Sequence, residues 1–315
     1  MKHCIIICFL IGFMRSLNAQ QDPQFSLYQF NQLAVNPAYA GARDGIAVVA
    51  DMRKQWVSFP GAPTTLAFTA HAPVWNNKLG LGVNVLSDQI GAKSTTGVYG
   101  NVAYILKLNN RLKLSFGLRA GYINYRFNFN KVIYKDLNEG SAAGFSTINR
   151  SAADIDAGLY LRGNSFFVGI SSTHLNGARL YNKDYTVTAL SGQTQNLNAS
   201  YALVPHVFLT AGKAFSLNEN LVFSPSVMVR SVKTTVSGDL NLNFLIHKRL
   251  WLGAFIKQNY GAGALVQIYA TEKLRIGYTY DAAVGSKKLL GSSHEIMIGF
   301  DFGNYKTKIL SPRFL

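Results

Sequence analysis

Few residues in this chain are spaced for chemistry. Beyond residue 19 the histidines are His71, His174, His206, His247 and His294. No two stand four apart on a plausible helix and none has a cysteine beside it, so the spacing predicts no metal centre. The chain contains neither a G-x-S-x-G elbow, which would present a nucleophilic serine, nor a P-loop, which would cradle phosphates. Two candidate pairs remain. Asp154 and Asp156 share one face at i, i+2. As an acid–base pair they would need pKa values pushed apart, and the simpler role is pairing with Arg119 and Arg162. His294-Glu295 reads as a turn pair at the start of a strand. The sequence therefore predicts no catalytic, cofactor-binding or metal-binding residues. A hydrolase site assembled from several strands would escape such a search.

The elements that carry these residues follow period two. From Leu112 to Tyr122 the residues Leu112, Leu114, Phe116, Leu118, Ala120 and Tyr122 fall on one face, and Lys113, Ser115, Gly117, Arg119 and Gly121 on the other. Side chains of a strand alternate sides, so this is one apolar and one small-polar face. The sorting recurs over 154–162, 239–244, 274–281 and 295–302. About fourteen segments of ~10 residues can be drawn, the length a tilted strand needs to cross a bilayer. They span 45–56, 64–74, 78–88, 95–107, 111–124, 153–163, 165–175, 203–215, 219–233, 235–247, 249–259, 261–271, 273–283 and 293–303.

The connections choose between a soluble sandwich and a membrane barrel. Every second one is tiny: Asn76-Asn77, Asn109-Asn110, Gly163-Asn164, Asn218-Glu219-Asn220, His247-Lys248 and Thr271-Glu272. Those between are mostly longer or richer in Gly and Pro, including 125–152, 176–202 and 284–292, although the ones near 234 and 260 are short. Outer-membrane barrels have short periplasmic turns and longer extracellular loops. The predicted fold is thus an all-β transmembrane barrel of about fourteen antiparallel strands, with an apolar outside, a polar lumen, and both termini periplasmic. Gly and small polar residues on the inner face leave room for water or an inserted segment.

Composition agrees. Of 315 residues, 48% are hydrophobic and only 15% charged, which is too apolar for disorder. Lys and Arg number 31 against 15 Asp and Glu. That basic excess suits an acidic partner or lipid headgroups, and no zinc spacing or basic run points to nucleic acid. Residues 1–19 combine a basic start, an apolar run over 4–14 and a small residue at Ala19, so a cleaved signal peptide is expected. Both cysteines, Cys4 and Cys8, lie in it, which removes disulfides from the mature chain. The expected organisation is a signal peptide at 1–19, an N-terminal periplasmic strap or partial plug at 20–44, a barrel at 45–303 and a periplasmic tail at 304–315. Phe25, Tyr28, Phe30 and Leu33 are expected to pack the 22–41 segment against the barrel.

Several ordered motifs carry a resemblance. Asp22-Pro23-Gln24-Phe25-Ser26 is followed by Asn36-Pro37-Ala38-Tyr39-Ala40-Gly41, then Arg53-Lys54-Gln55-Trp56, then Pro60-Gly61-Ala62-Pro63-Thr64-Thr65. Leu86-Ser87-Asp88-Gln89-Ile90-Gly91, Ser293-His294-Glu295-Ile296 and Ser311-Pro312-Arg313-Phe314 complete the set. Together they resemble the PorP/SprF family of type IX secretion system outer-membrane proteins. Lys54 and the final Leu315 depart from its pattern.

The resemblance implies a non-enzymatic integral outer-membrane component of type IX secretion and gliding. Such a protein retains or helps export a large surface adhesin by docking its C-terminal domain. Its partners would be that adhesin, other type IX secretion proteins and a periplasmic peptidoglycan-binding lipoprotein. A solute channel or specific uptake porin is the alternative. The candidate partner-binding residues are Arg119, Arg162, Arg230 and Arg275 inside the barrel, with Arg53, Gln55 and Trp56 near the rim. Equally, the lumen arginines can pair with Asp154, Asp156, Asp239 and Asp281. Arg53, Gln55 and Trp56 can likewise anchor a turn, the Trp packing the loop and the other two meeting backbone carbonyls.

Overall fold

A computed structural model of the protein describes residues 22–132, 147–188, 194–258 and 260–303. The expected signal peptide, the expected tail and its Ser311–Phe314 motif lie outside these. Among the described residues no helix is long and apolar enough to cross a membrane; strands make the fold. They are β1 (Ile46–Lys54), β2 (Thr64–Val74), β3 (Leu79–Ile90), β4 (Lys93–Lys107), β5 (Lys113–Phe127), β6 (Ile148–Arg162) and β7 (Phe166–Thr173). After these come β8 (Arg179–Thr188), β9 (Thr194–Ala202), β10 (His206–Lys213), its two-residue continuation β11 (Phe215–Ser216) and β12 (Leu221–Val232). The chain finishes with β13 (Thr235–Ile246), β14 (Leu250–Lys257), β15 (Gly261–Tyr269), β16 (Leu274–Ala283) and β17 (Ser293–Phe302).

Each barrel strand pairs antiparallel with the next, β10 pairs with β12, and β17 returns to β1 with Ala47 opposite Asp301. The result is a closed barrel of fourteen strands. Closure satisfies every strand edge, which a hydrocarbon environment demands because no water is there to bond free backbone groups. The strand spans read from alternation match those observed to within a few residues, apart from longer β5 and β6. The 176–202 stretch, read as a loop, instead holds the β8–β9 hairpin, a separate two-stranded sheet.

All six tiny connections fall at one end of the barrel, together with Ile46 and Phe302; this is the turn end. The β8–β9 hairpin and the longer connections gather at the other, the loop end. Asn76 and Asn77 turn the chain at φ 55° and 61°, a left-handed conformation that Asn tolerates better than most side chains.

The faces sort as alternation dictates. On β5, Phe116 and Leu118 are exposed outward, whereas Ser115 and Arg119 are buried inward. On β17, Ile296, Ile298 and Phe300 face out, and Glu295, Met297 and Asp301 face in. The buried core is thus inside the barrel, and residues 22–44 supply its centre. Three single-turn 3-10 helices, Tyr28–Phe30, Gln32–Ala34 and Pro37–Tyr39, fold within the lumen. Leu27, Phe30, Leu33 and Tyr39 meet Tyr160, Phe167, Trp251 and Met297 of the wall in one apolar cluster.

Candidate functional site

The lumen segment runs the full height of the barrel. Asp22 lies at the loop end beside Thr173, His174 and His206; Arg43 lies at the turn end and pairs with Asp301 at 3.0 Å. The expectation that both termini sit at the turn end therefore describes the first and last barrel strands but not residue 22, which the plug carries up to the opposite mouth.

At the turn end the seat is shaped by absence of side chains. A methyl placed on Gly117 would overlap the backbone of Pro37 and Ala38, one on Gly158 would overlap the Asn36 amide, and one on Gly80 would overlap the Ala40 carbonyl. Asn36 fixes this turn. Its carboxamide accepts from the Ala38 N–H at 2.9 Å and donates to the Leu159 and Ile170 carbonyls at 3.0 and 3.4 Å. Plug carbonyls that would otherwise be orphaned are met by the wall: Val35 by Ser171, Leu33 by Asn84, Ala34 by Arg119, and Ala42 by Arg162.

Toward the loop end, charge takes over. Arg53 donates to Asp281 at 2.6 Å, to Glu295 at 3.0 Å and to the Ser26 hydroxyl at 2.9 Å. Lys257 joins Asp281 at 3.1 Å and also reaches Ser26. Glu295 in turn accepts the backbone N–H groups of Ser26 and Leu27 at 2.7 and 2.8 Å. Two cations and two carboxylates from β1, β14, β16 and β17 thus clamp two plug residues. Burying such charges is tolerable only because they are paired and hydrogen-bonded.

Across the lumen a cavity of about 100 Å³ opens between plug and wall, lined by Asp22, Lys93, Arg119, His174, Tyr201 and His206. The base of the β8–β9 hairpin borders it: Tyr201 stacks on Tyr125 with ring centroids 4.4 Å apart, and Leu180 and Leu203 pack on Ile123. His174 stands between two carboxylates, with Nδ1 2.7 Å from Asp154 and Nε2 3.1 Å from Asp22. Burial by itself would favour its neutral form, but the two carboxylates outweigh this and raise its pKa above the usual imidazole range.

The sequence-derived candidates fall as follows. Arg119 pairs with Asp156, Arg230 with Asp239 at 2.9 Å and Arg275 with Asp301 at 2.7 Å; Arg162 donates to the Ala42 carbonyl. Asp154 accepts from the Tyr99 hydroxyl and faces His174 Nδ1. Arg53, one residue from the loop end of β1, points into the lumen and is 2% exposed. Gln55 donates its backbone N–H to Pro63 at 2.9 Å. Trp56, at φ 55°, turns the chain off β1 and stacks on Tyr260.

Glu295 is not a turn residue but an inward anchor for the plug, while His294 bonds outward to Tyr278. Parity along the last strand carried that signal, because Glu295 shares its face with Met297 and Asp301. Lys257, Ser26 and the meeting of His174 with His206 had no local signal.

A closed barrel with an apolar exterior, a polar lumen and an internal plug defines an integral outer-membrane protein. Residues 17–300 match the type IX secretion system membrane protein family PorP/SprF, and the chain belongs to it. No curated protein matches the chain in sequence. Among solved structures it is similar to the Ralstonia pickettii toluene transporter TbuX, at 10% identity and a TM-score of 0.52, covering 87% of this chain and 94% of that one. It is also similar to the CymD monoaromatic hydrocarbon channel, at 11% identity and a TM-score of 0.50, covering 88% and 94%. At such identities the likeness is one of fold.

Proposed function

We propose that the protein is a plugged, non-enzymatic docking barrel of type IX secretion and gliding. In this reading it retains or helps export a large surface adhesin by receiving that protein's C-terminal domain at the loop end. The observation that carries the reading is the filled lumen: residues 25–43 occupy the barrel and are tied to its wall along their length. A path blocked in this way favours anchoring over diffusion.

Arg53, Arg119, Arg162, Arg230 and Arg275 already hold barrel or plug groups, which supports a docking surface at the loop rim, on the β8–β9 hairpin and the mouth of the cavity. The turn end is left for periplasmic components, including a peptidoglycan-binding lipoprotein. Export uses a signal peptide cleaved after Ala19, so the mature chain starts two residues before Asp22.

The test replaces residues 179–202 with a short Gly-Ser link and assays adhesin on the cell surface. Loss of surface adhesin with the barrel still assembled supports docking at the rim; wild-type retention overturns it. A channel reading, which the names of the structural neighbours suggest for those proteins, predicts steady conductance of the purified barrel in planar bilayers, whereas the plugged barrel should not conduct.

A further inference from the structure

The histidines that sequence spacing left unconnected meet at the mouth of the cavity. His174 follows the end of β7, His206 begins β10, and Asp22 opens the plug. Asp22 Oδ1 is 3.1 Å from His174 Nε2, Asp22 Oδ2 is 3.8 Å from His206 Nδ1, and the Asp22 backbone N–H donates to His206 Nε2 at 3.3 Å. One donor atom from each residue can be chosen so that all three lie within 4.8 Å of one another. Donors around a tetrahedral zinc, with bonds of ~2.0–2.1 Å, stand roughly 3.3–3.5 Å apart. Closing that difference takes a shift of the Asp22 carboxylate from the Nδ1 side of His206 toward Nε2, the nitrogen that now accepts from the Asp22 backbone N–H.

Three further features separate this group from a chance cluster. First, each ring is held through its other nitrogen: His174 Nδ1 faces the Asp154 carboxylate at 2.7 Å, and His206 Nδ1 faces the Val204 carbonyl at 2.7 Å. A carbonyl can only accept, so His206 carries its proton on Nδ1 and Nε2 keeps a lone pair. An imidazole whose far N–H is fixed by a carboxylate or carbonyl is the usual support of a metal-ligating histidine. Second, Asp154 is itself fixed by the Tyr99 hydroxyl at 3.0 Å and is fully buried, which supplies negative charge behind the site. Third, both histidines are buried whereas the Asp22 side chain is 32% exposed, so the group is backed by the wall and open on the cavity side. That opening gives a cation both an entry route and a fourth position for water. The overlapping group Asp154, Asp156 and His174 is less suited, because Asp156 is committed to Arg119 and to the His174 backbone N–H.

We propose that Asp22, His174 and His206 bind one divalent cation of the zinc class, which staples the start of the plug to the barrel wall. Two imidazole nitrogens and one carboxylate oxygen are the donor set that zinc accepts, with the fourth site open. On binding, any proton on His174 Nε2 passes to solvent while Nδ1–H stays on Asp154, and the Asp22 amide turns away from His206 Nε2. The plug, otherwise held at this mouth by the Asp22–His174 ion pair and by hydrogen bonds, then gains a coordinate cross-link to the ends of β7 and β10.

The test uses the full barrel purified in detergent, stripped with chelator and dialysed. Zinc is titrated against a competing fluorescent chelator, and cobalt is added separately to read the visible spectrum of its coordination sphere. The expected result is one zinc per chain and an intense four-coordinate cobalt spectrum. His206→Ala and Asp22→Asn should each weaken zinc by at least about 30-fold, and Asp154→Asn by about 10–100-fold. His247→Ala and His294→Ala, away from the site, should change neither. Asp22→Asn alters one plug side chain and no wall residue, so it remains informative if a wall variant fails to assemble, as judged by heat-modifiable migration. Zinc binding that is absent, or that survives both Asp22→Asn and His206→Ala unchanged, overturns the proposal. So does a cobalt spectrum of six-coordinate type that the variants leave unaltered.

Discussion

The two ends of the plug differ in their balance of packing and charge: the turn end adds the Arg43–Asp301 ion pair to close packing, whereas the loop end relies on a buried charge cluster. At the turn end, Asn36–Ala42 lies on a wall from which side chains have been removed, with Gly80, Gly117 and Gly158 letting backbone approach backbone. At the loop end, Ser26 and Leu27 are gripped by Arg53, Lys257, Asp281 and Glu295. Close packing is short-ranged and indifferent to ions or pH; a buried charge cluster holds strongly while complete and fails when one member is lost. The turn end therefore behaves as a fixed seat. The loop end, next to the cavity and the hairpin, is where a partner or an ion has leverage over the plug.

This contrast can be broken experimentally, because no cysteine follows Cys8 and single reporters at Pro23→Cys and Ala42→Cys read the two ends separately by maleimide labelling. The largest effect is expected from Arg53→Ala, which leaves Glu295 and Asp281 under-compensated and should cost about 3–5 kcal/mol in urea unfolding. Labelling should rise at position 23 and much less at 42; an equal rise would mean that the plug moves as one body.

Phe116→Lys should cost about 2–4 kcal/mol if it faces mid-membrane, reducing heat-modifiable barrel without preferential exposure of either reporter. Its neighbour Gly117→Val faces inward and should cost about 1–3 kcal/mol through overpacking. There the assembled barrel should persist while position 42 becomes labelled. These adjacent residues are expected to fail in opposite ways; exchanged phenotypes would mean that the two faces have been inverted, and identical ones that the faces are not distinct. The smallest effect belongs to Asn36→Ala, about 0.5–2 kcal/mol for a lost cap, seen as faster labelling at 42 alone.

What the sequence determined by itself is whatever a strand decides locally. Alternation at Leu114–Ser115–Phe116–Gly117–Leu118–Arg119 assigns one face to lipid and one to the lumen, because successive side chains must point to opposite sides. The same parity, applied to 295–301, would have turned Glu295 inward. Connection lengths sorted the two ends of the barrel, and the small inner residues anticipated space for an inserted segment. The tertiary structure decided which distant residues meet: Arg53 with Asp281 and Glu295, Ser26 with Lys257, Asp22 with His174 and His206. It also turned the 176–202 stretch into a hairpin and sent the plug from the turn end to the loop end. The reason is geometric. Period two is a property of each strand, whereas partners across a lumen are set by closure and by the stagger between strands, which accumulates around the whole barrel.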